Sequence, residues 1–181
     1  MNGHKHLISV GECLSLARPT SIHMDDDEVA AFINECEDMH IIPAIGFANF
    51  NKAVESESFT DVFDDTFSAS VWLDGGAFVV DDCSCQDGRT EWCAGLRKTL
   101  AYYVYAKMLR ADGTIIARAG AMRHNDQYAS HIDPNRKQYD DVMNVADRYL
   151  SGCMLYAKQH SVECGAVKPV KGTRATIKAI G

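Results

Sequence analysis

Residues 91–110 read EWCAGLRKTLAYYVYAKMLR, and no other stretch constrains the fold as much. Cys93, Leu96, Leu100, Val104 and Met108 recur at spacings of three and four and make one apolar stripe. Tyr102, Tyr105 and Leu109 make a second stripe beside it, and only Arg97, Lys98, Lys107 and Arg110 are clearly polar. A helix apolar around so much of its circumference must bury more than one side. The segment is therefore expected to be a central helix with other elements packed around it.

A second long helix is expected over 134–160. Asp133 can cap it, and Pro134 suits the first helical position, where a missing N–H costs nothing. Tyr139, Val142, Met143, Ala146, Tyr149, Leu150, Cys153 and Tyr156 supply its apolar face; Asp140, Asp141, Asn144, Asp147, Arg148, Ser151 and Lys158 supply the wet one. Gly152 inside it costs about 1 kcal/mol relative to alanine, which a close helix crossing would explain. Nearer the N-terminus, Ser9 and Glu12 have capping-box spacing for a short helix through Leu14 and Leu16 that stops before Pro19. Asp25, Asp26, Asp27 and Glu28 open a helix over 25–40, where the dipole favours carboxylates. Its stripe is Val29, Phe32, Ile33, Cys36 and His40. Pro43 then starts a segment reaching about Val54, with Gly46 expected at a tight approach.

Residues 59–88 differ in character. Phe67, Ala69, Val71 and Leu73 alternate with mainly polar residues, Asp74-Gly75-Gly76 follows, and Ala77-Phe78-Val79-Val80 comes next. This pattern predicts a β-hairpin turning at the glycines. With no sheet to join, it is expected to stand outside the main core as an interface element, so that deleting residues 66–80 should leave the helices folded. Residues 114–118 are expected to form a short extended segment in an otherwise loop-like link. After His160 the helical periodicity ends. The fold class is thus mainly α: a helical bundle with an inserted β-hairpin and an extended C-terminal tail. Residues 1–161 are taken as the helical domain, with the insertion at about 59–88, and 162–181 as a basic tail.

The chain has 181 residues and a net charge of −7. Residues 162–181 contain Lys168, Lys171, Arg174 and Lys178 against Glu163 alone, so the body carries about −10. An acidic body is a poor non-specific partner for DNA, whose binding rests on phosphate neutralisation. No apolar run approaches the ~20 residues that span a bilayer. The start of the chain lacks a signal-peptide pattern, so the product is expected to stay in the cytoplasm that makes it, with its seven cysteines as free thiols. Cys13, Cys36, Cys93 and Cys153 fall on apolar faces.

Cys83-Ser84-Cys85 with Cys93 is the best metal candidate, but its spacing is C-x-C, and only the fold could recruit His124 or His131. The acidic pairs Asp64-Asp65, Asp81-Asp82 and Asp140-Asp141 read as caps and solvated faces. No nucleophile elbow, phosphate-binding loop, dinucleotide fingerprint or zinc-protease motif occurs. The expectation is a protein that is not an enzyme, with no catalytic, cofactor or metal residue assigned. The alternative is a small cytoplasmic metal-binding or enzymatic protein using Cys83, Cys85 and Cys93, and a third reading is a nucleic-acid binder acting through its basic tail.

The order of segments carries a resemblance. A short helix leads to the acidic-capped helix ending His40-Ile41-Ile42-Pro43-Ala44-Ile45-Gly46, then Trp72-Leu73-Asp74-Gly75-Gly76-Ala77-Phe78, then Gly95-Leu96-Arg97-Lys98-Thr99-Leu100-Ala101-Tyr102-Tyr103-Val104-Tyr105-Ala106. Gly113-Thr114-Ile115-Ile116-Ala117-Arg118, with Asn125 and Tyr128, precedes the last helix. Across roughly residues 7–160 this resembles the head–tail connector, or adaptor, proteins of tailed bacteriophages, closest to those of Bacteroides-type hosts, including crAss-like phages. The resemblance implies a structural virion protein at the head–tail junction. It implies a homo-oligomeric ring of about twelve subunits, bound to the portal protein above and to a downstream tail or stopper protein below. DNA would pass through the lumen without being read, and an acidic lumen would let it slide. No membrane partner is implied.

Overall fold

The computed structural model describes residues 5–18, 24–80, 89–111, 114–117, 120–123 and 134–161, with the backbone alone at 114–117, 120–123 and 134–136. In chain order the elements are α1 (Val10–Leu16), α2 (Asp26–Cys36), α3 (Ile42–Ile45), α4 (Phe47–Glu55), α5 (Ala69–Asp74), β1 (Gly76–Val80), β2 (Arg89–Cys93), α6 (Leu96–Ala111), β3 (Thr114–Ala117), β4 (Gly120–Arg123) and α7 (Pro134–Gln159). One π turn, Glu37–Ile41, joins α2 to α3. The chain is mainly α, a helical bundle carrying a β-hairpin insertion. The expected cap Asp133 and the tail at 162–181 lie outside the described residues.

The apolar circumference of α6 is used as expected. Leu96, Leu100, Val104 and Met108 are buried, and so are Ala101, Tyr103 and Ala106. The helix packs along α7 on one side and on α1 and α2 on the others. Its single deeply buried hydroxyl-bearing short side chain, Thr99, donates to the Gly95 carbonyl one turn back. The Tyr103 hydroxyl donates to Asp147 on α7 at 2.7 Å, and its ring stacks on His40 at 4.1 Å.

The capping box at α1 forms: Glu12 N–H donates to Ser9 Oγ, and the Glu12 carboxylate accepts from Ser9 N–H at 2.8 Å. At α2 the first-turn acids are in place, although Asp25 makes no side-chain capping bond. The π turn that follows turns Glu37 into the protein. Fully buried there, its carboxylate accepts from Leu7 N–H at 2.8 Å and meets His6 Nδ1 at the same distance, tying the N-terminal arm to the bundle. Pro43 occupies the first turn of α3 as expected. Gly46 does not mark a tight approach, since nothing lies within 4 Å of where its Cβ would be; its φ of +82° is what requires glycine.

The hairpin differs from the expectation. Residues 69–74, read as its first strand, are helical, and the Gly75-Gly76 pair ends that helix rather than turning a hairpin. The true partner of β1 is β2, in the antiparallel register Gly76↔Cys93, Phe78↔Glu91 and Val80↔Arg89. Residues 91–93, expected as the start of the central helix, are therefore strand, and α6 starts only after Gly95. A crossing of two backbones enforces this. A Cβ on Gly95 would sit 2.6 Å from Gly75 N, and one on Gly75 would sit 2.7 Å from the Ala94 carbonyl oxygen, so neither position admits a side chain.

Nor does this region stand outside the core. Phe59, Phe63, Trp72, Leu73 and Phe78 all belong to the main apolar cluster. Phe59, Phe63 and Phe67 surround the Trp72 ring at centroid distances of 5.4–5.6 Å. Deleting residues 66–80 would uncover the faces of α6 and α7 they cover. In the link between the long helices, the short extended segment is one half of a second antiparallel pair, with β3 and β4 in the register Thr114↔Arg123 to Ala117↔Gly120.

Candidate functional site

The β1–β2 hairpin has two unlike faces, because successive side chains of a strand alternate. Phe78 and Cys93 point inward and are buried. Ala77, Val79, Thr90 and Trp92 point outward, paired across the strands as Ala77↔Trp92 and Val79↔Thr90. Trp92 is 66% exposed and Val79 52% exposed. A tryptophan this bare on the same face as a bare valine is an apolar surface held on a rigid support, suited to burial against another protein.

The support is built from both sides of the chain. The Gly152 Cα lies against β2, where a Cβ would be 3.3 Å from the Trp92 carbonyl oxygen. A strand approach, not a helix crossing, thus accounts for glycine in α7. Gln159 donates to the Val79 carbonyl, holding the far end of β1 to the end of α7. Below the hairpin, Trp72 Nε1 donates to the Cys153 carbonyl at 3.2 Å, Ser68 N–H donates to the Tyr156 hydroxyl at 2.8 Å, and the Tyr156 ring meets Phe78 edge-on at 5.1 Å.

At the junction itself the thiols of Cys93 and Cys153 share a hydrogen bond at 3.5 Å, and the Thr99 hydroxyl lies 3.8 Å from Cys153 Sγ. Hydrogen bonds from Cys153 and from the Gly95 N–H draw the Cys93 thiol below its ordinary pKa, against the opposing effect of burial. Its bond to Cys93 and burial together push the Cys153 thiol up. Cys13 and Cys36 contrast with Cys93, for burial pushes both up to about 12.

The end of α7 is fastened by a polar cluster. Asp64 accepts from the Thr66 N–H and hydroxyl at 2.9 and 2.6 Å and lies 3.1 Å from His160 Nδ1. The Thr66 bond, then that to His160, holds the Asp64 carboxyl below its usual range. The hydroxyl and the carboxylate both address the same imidazole nitrogen, Nδ1. They leave no relay through the ring of the kind a nucleophilic triad needs. The arrangement ties residues 63–66 to 160–161, where Phe63 and Ser161 form a bridge.

Of the sequence-level candidates, Cys93 is buried against Cys153, whereas Cys83, Cys85, His124, His131, Asp81 and Asp82 lie outside the described residues. Asp140 and Asp141 are exposed on α7, as their reading as a solvated face requires. Among the described residues no group of three or more His, Cys, Asp or Glu side chains could hold a metal ion, and no helix is long and apolar enough to cross a membrane. The outward hairpin face and the Cys93–Cys153 contact were missed by sequence reasoning. Only the alternation Thr90-Glu91-Trp92-Cys93 just before Ala94-Gly95 signalled a strand end there.

A family model described as a family of unknown function (DUF6712) matches residues 41–161. No curated protein and no solved structure matches the chain.

Proposed function

The chain belongs to DUF6712, a family of unknown function, and from that premise we propose that it is a structural subunit of a tailed-phage head–tail junction. In this reading, copies form a ring of about twelve subunits. The ring sits on the portal protein, receives a tail or stopper protein below, and extends the channel through which DNA passes unread. The observation that carries the reading is the outward apolar face of the hairpin, Val79 and Trp92, held rigidly on α7. A subunit whose work is assembly needs such a surface, and a monomer in water gains nothing from exposing it. The order of segments over residues 7–160 supports the same reading. So does the acidic body, since a negatively charged lumen repels phosphate and lets a duplex slide.

The test is the mass and shape of the purified full-length protein, alone and mixed with portal protein, by light scattering and electron microscopy. Closed rings in either sample are the expected result. A protein that stays monomeric in both, at concentrations well above those of assembly, overturns the assignment.

A further inference from the structure

The junction between hairpin and helix holds a feature that ring assembly does not use. Cys93 ends β2 and Cys153 lies in the middle of α7, 60 residues apart in sequence, yet their sulfur atoms touch at 3.5 Å in a fully buried site. Their backbones are held close by the approach of the Trp92 carbonyl to Gly152, the residues immediately preceding each cysteine. Geometry of this kind decides whether two thiols can be bridged, because a disulfide tolerates little displacement of its Cα atoms. Neither support can slide: β2 is paired along its length with β1, and Trp72 is hydrogen-bonded to Cys153's own carbonyl. The other two buried cysteines described, Cys13 and Cys36, show no sulfur–sulfur contact of this kind, and burial raises their pKa values to about 12.

We propose that Cys93 and Cys153 are a redox-convertible dithiol, which hydrogen peroxide closes to an intramolecular disulfide that fastens the Trp92-bearing strand to α7. In the first step the Cys93 thiolate attacks one peroxide oxygen. An S–O bond forms, the O–O bond breaks, and the departing hydroxide takes the thiol's proton as water, leaving a sulfenic acid. Cys153 then attacks that sulfur, the S–S bond forms, and the sulfenic oxygen leaves as a second water with the Cys153 proton. Two thiols are oxidised and one peroxide is reduced to two waters. Peroxide is small enough to enter by local opening of the β2 edge, where Thr90 and Trp92 are already at the surface. Cys93 is the attacking thiol because it ends β2, the strand at whose edge peroxide enters. The inference stands apart from ring formation and is read on the isolated chain.

The experiment treats reduced full-length protein with graded hydrogen peroxide, blocks the remaining thiols by alkylation after unfolding, and maps the disulfides by peptide mass. The expected result is a Cys93–Cys153 link at the lowest effective peroxide, with Cys13 and Cys36 still alkylated. The midpoint of thermal unfolding should rise by roughly 5–10 °C, since the bridge closes a long loop, and a dithiol reductant should reverse the rise. A Cys83→Ser/Cys85→Ser double variant should keep both effects, and Cys93→Ala, checked for its helical circular dichroism, should lose both. The proposal is overturned if Cys93 and Cys153 stay alkylatable while other cysteines oxidise. It is equally overturned if Cys93 links to a different cysteine, or if its oxidation stops at sulfinic acid.

Discussion

α6 and the β1–β2 hairpin stand next to each other in the chain, and they treat water in opposite ways. The helix is buried nearly all round, with Leu96, Leu100, Val104 and Met108 at 1% exposure or less. The hairpin buries one face through Phe78 and Cys93 and leaves the other, with Val79 and Trp92, bare. An element wrapped on all sides is accounted for by folding alone. One that keeps a large aromatic side chain in solvent is not, because exposing it gives the monomer no stability. The difference separates residues that specify the fold from residues left for a partner, and each substitution below strains that division.

The largest effects belong to the inner residues on both sides. Leu100→Ala should lower stability by ~2–5 kcal/mol, and Trp72→Ala by ~3–5 kcal/mol, through lost burial and the cavity left behind. Trp72→Ala also removes the indole N–H bond to the Cys153 carbonyl, which keeps its partner within α7. Urea unfolding followed by circular dichroism measures both. If Trp72→Ala costs well under 1 kcal/mol while Leu100→Ala costs the full amount, residues 59–80 are an appendage and not part of the core.

That boundary was only partly legible. The stripe Leu96, Leu100, Val104 and Met108 found the central helix because a period of 3.6 sustained over four turns has few other readings, and α7 was read for the same reason. Residues 69–74 were not legible because six residues are too few for a period to decide. Their alternation is as compatible with two turns of helix, and the fate of the segment was set by Gly75 at φ +102° meeting Gly95 across a backbone crossing. That crossing joins residues 20 apart and leaves no mark in either local pattern. The π turn at Glu37–Ile41 is equally silent, since it exists to bring a carboxylate under the N-terminal arm. The candidate site was the least legible part: Trp92 was read as a helical residue, and the Cys93–Cys153 contact depends on pairing that no spacing encodes.

A smaller effect belongs to His40, packed beside α6. Burial lowers the pKa of His40 below its ordinary 6.5, against Asp147 and Glu35 and together with Lys107. The unfolded chain therefore takes up a proton at pH values where the folded protein still resists one. The contribution is fully present above pH 6.5 and is lost as pH falls below it toward the lowered folded value. Stability should decline from pH 7.5 to 5.5, and His40→Phe, which keeps a ring against Tyr103, should flatten that decline. A wild-type protein equally stable at both pH values, or a His40→Phe protein with an undiminished slope, would show that the ring beside α6 is not shielded from water as the packing implies.

The smallest effect on stability is expected at the residue with the largest consequence for assembly. Trp92→Ser removes an indole that is 66% exposed and whose cross-strand neighbour is only Ala77. The backbone of β2 keeps its ladder to β1, and the Trp92 carbonyl keeps its place against Gly152. A surface change that spares such features moves stability by no more than ~0.5 kcal/mol, so the urea midpoint should stay where it was. Tryptophan is among the side chains that dominate interfaces, and truncating one at the centre of a contact commonly costs ~2 kcal/mol or more. In a closed ring every subunit interface would lose that amount at once, so assembly should fail over a narrow range of concentration. If the proposed ring forms, light scattering on the variant should report a folded monomer where the wild type is oligomeric. A variant that assembles like the wild type leaves the bare hairpin face without a role in the ring. A variant that loses several kcal/mol of unfolding free energy places Trp92 among the folding residues and removes the distinction between the two faces of the hairpin.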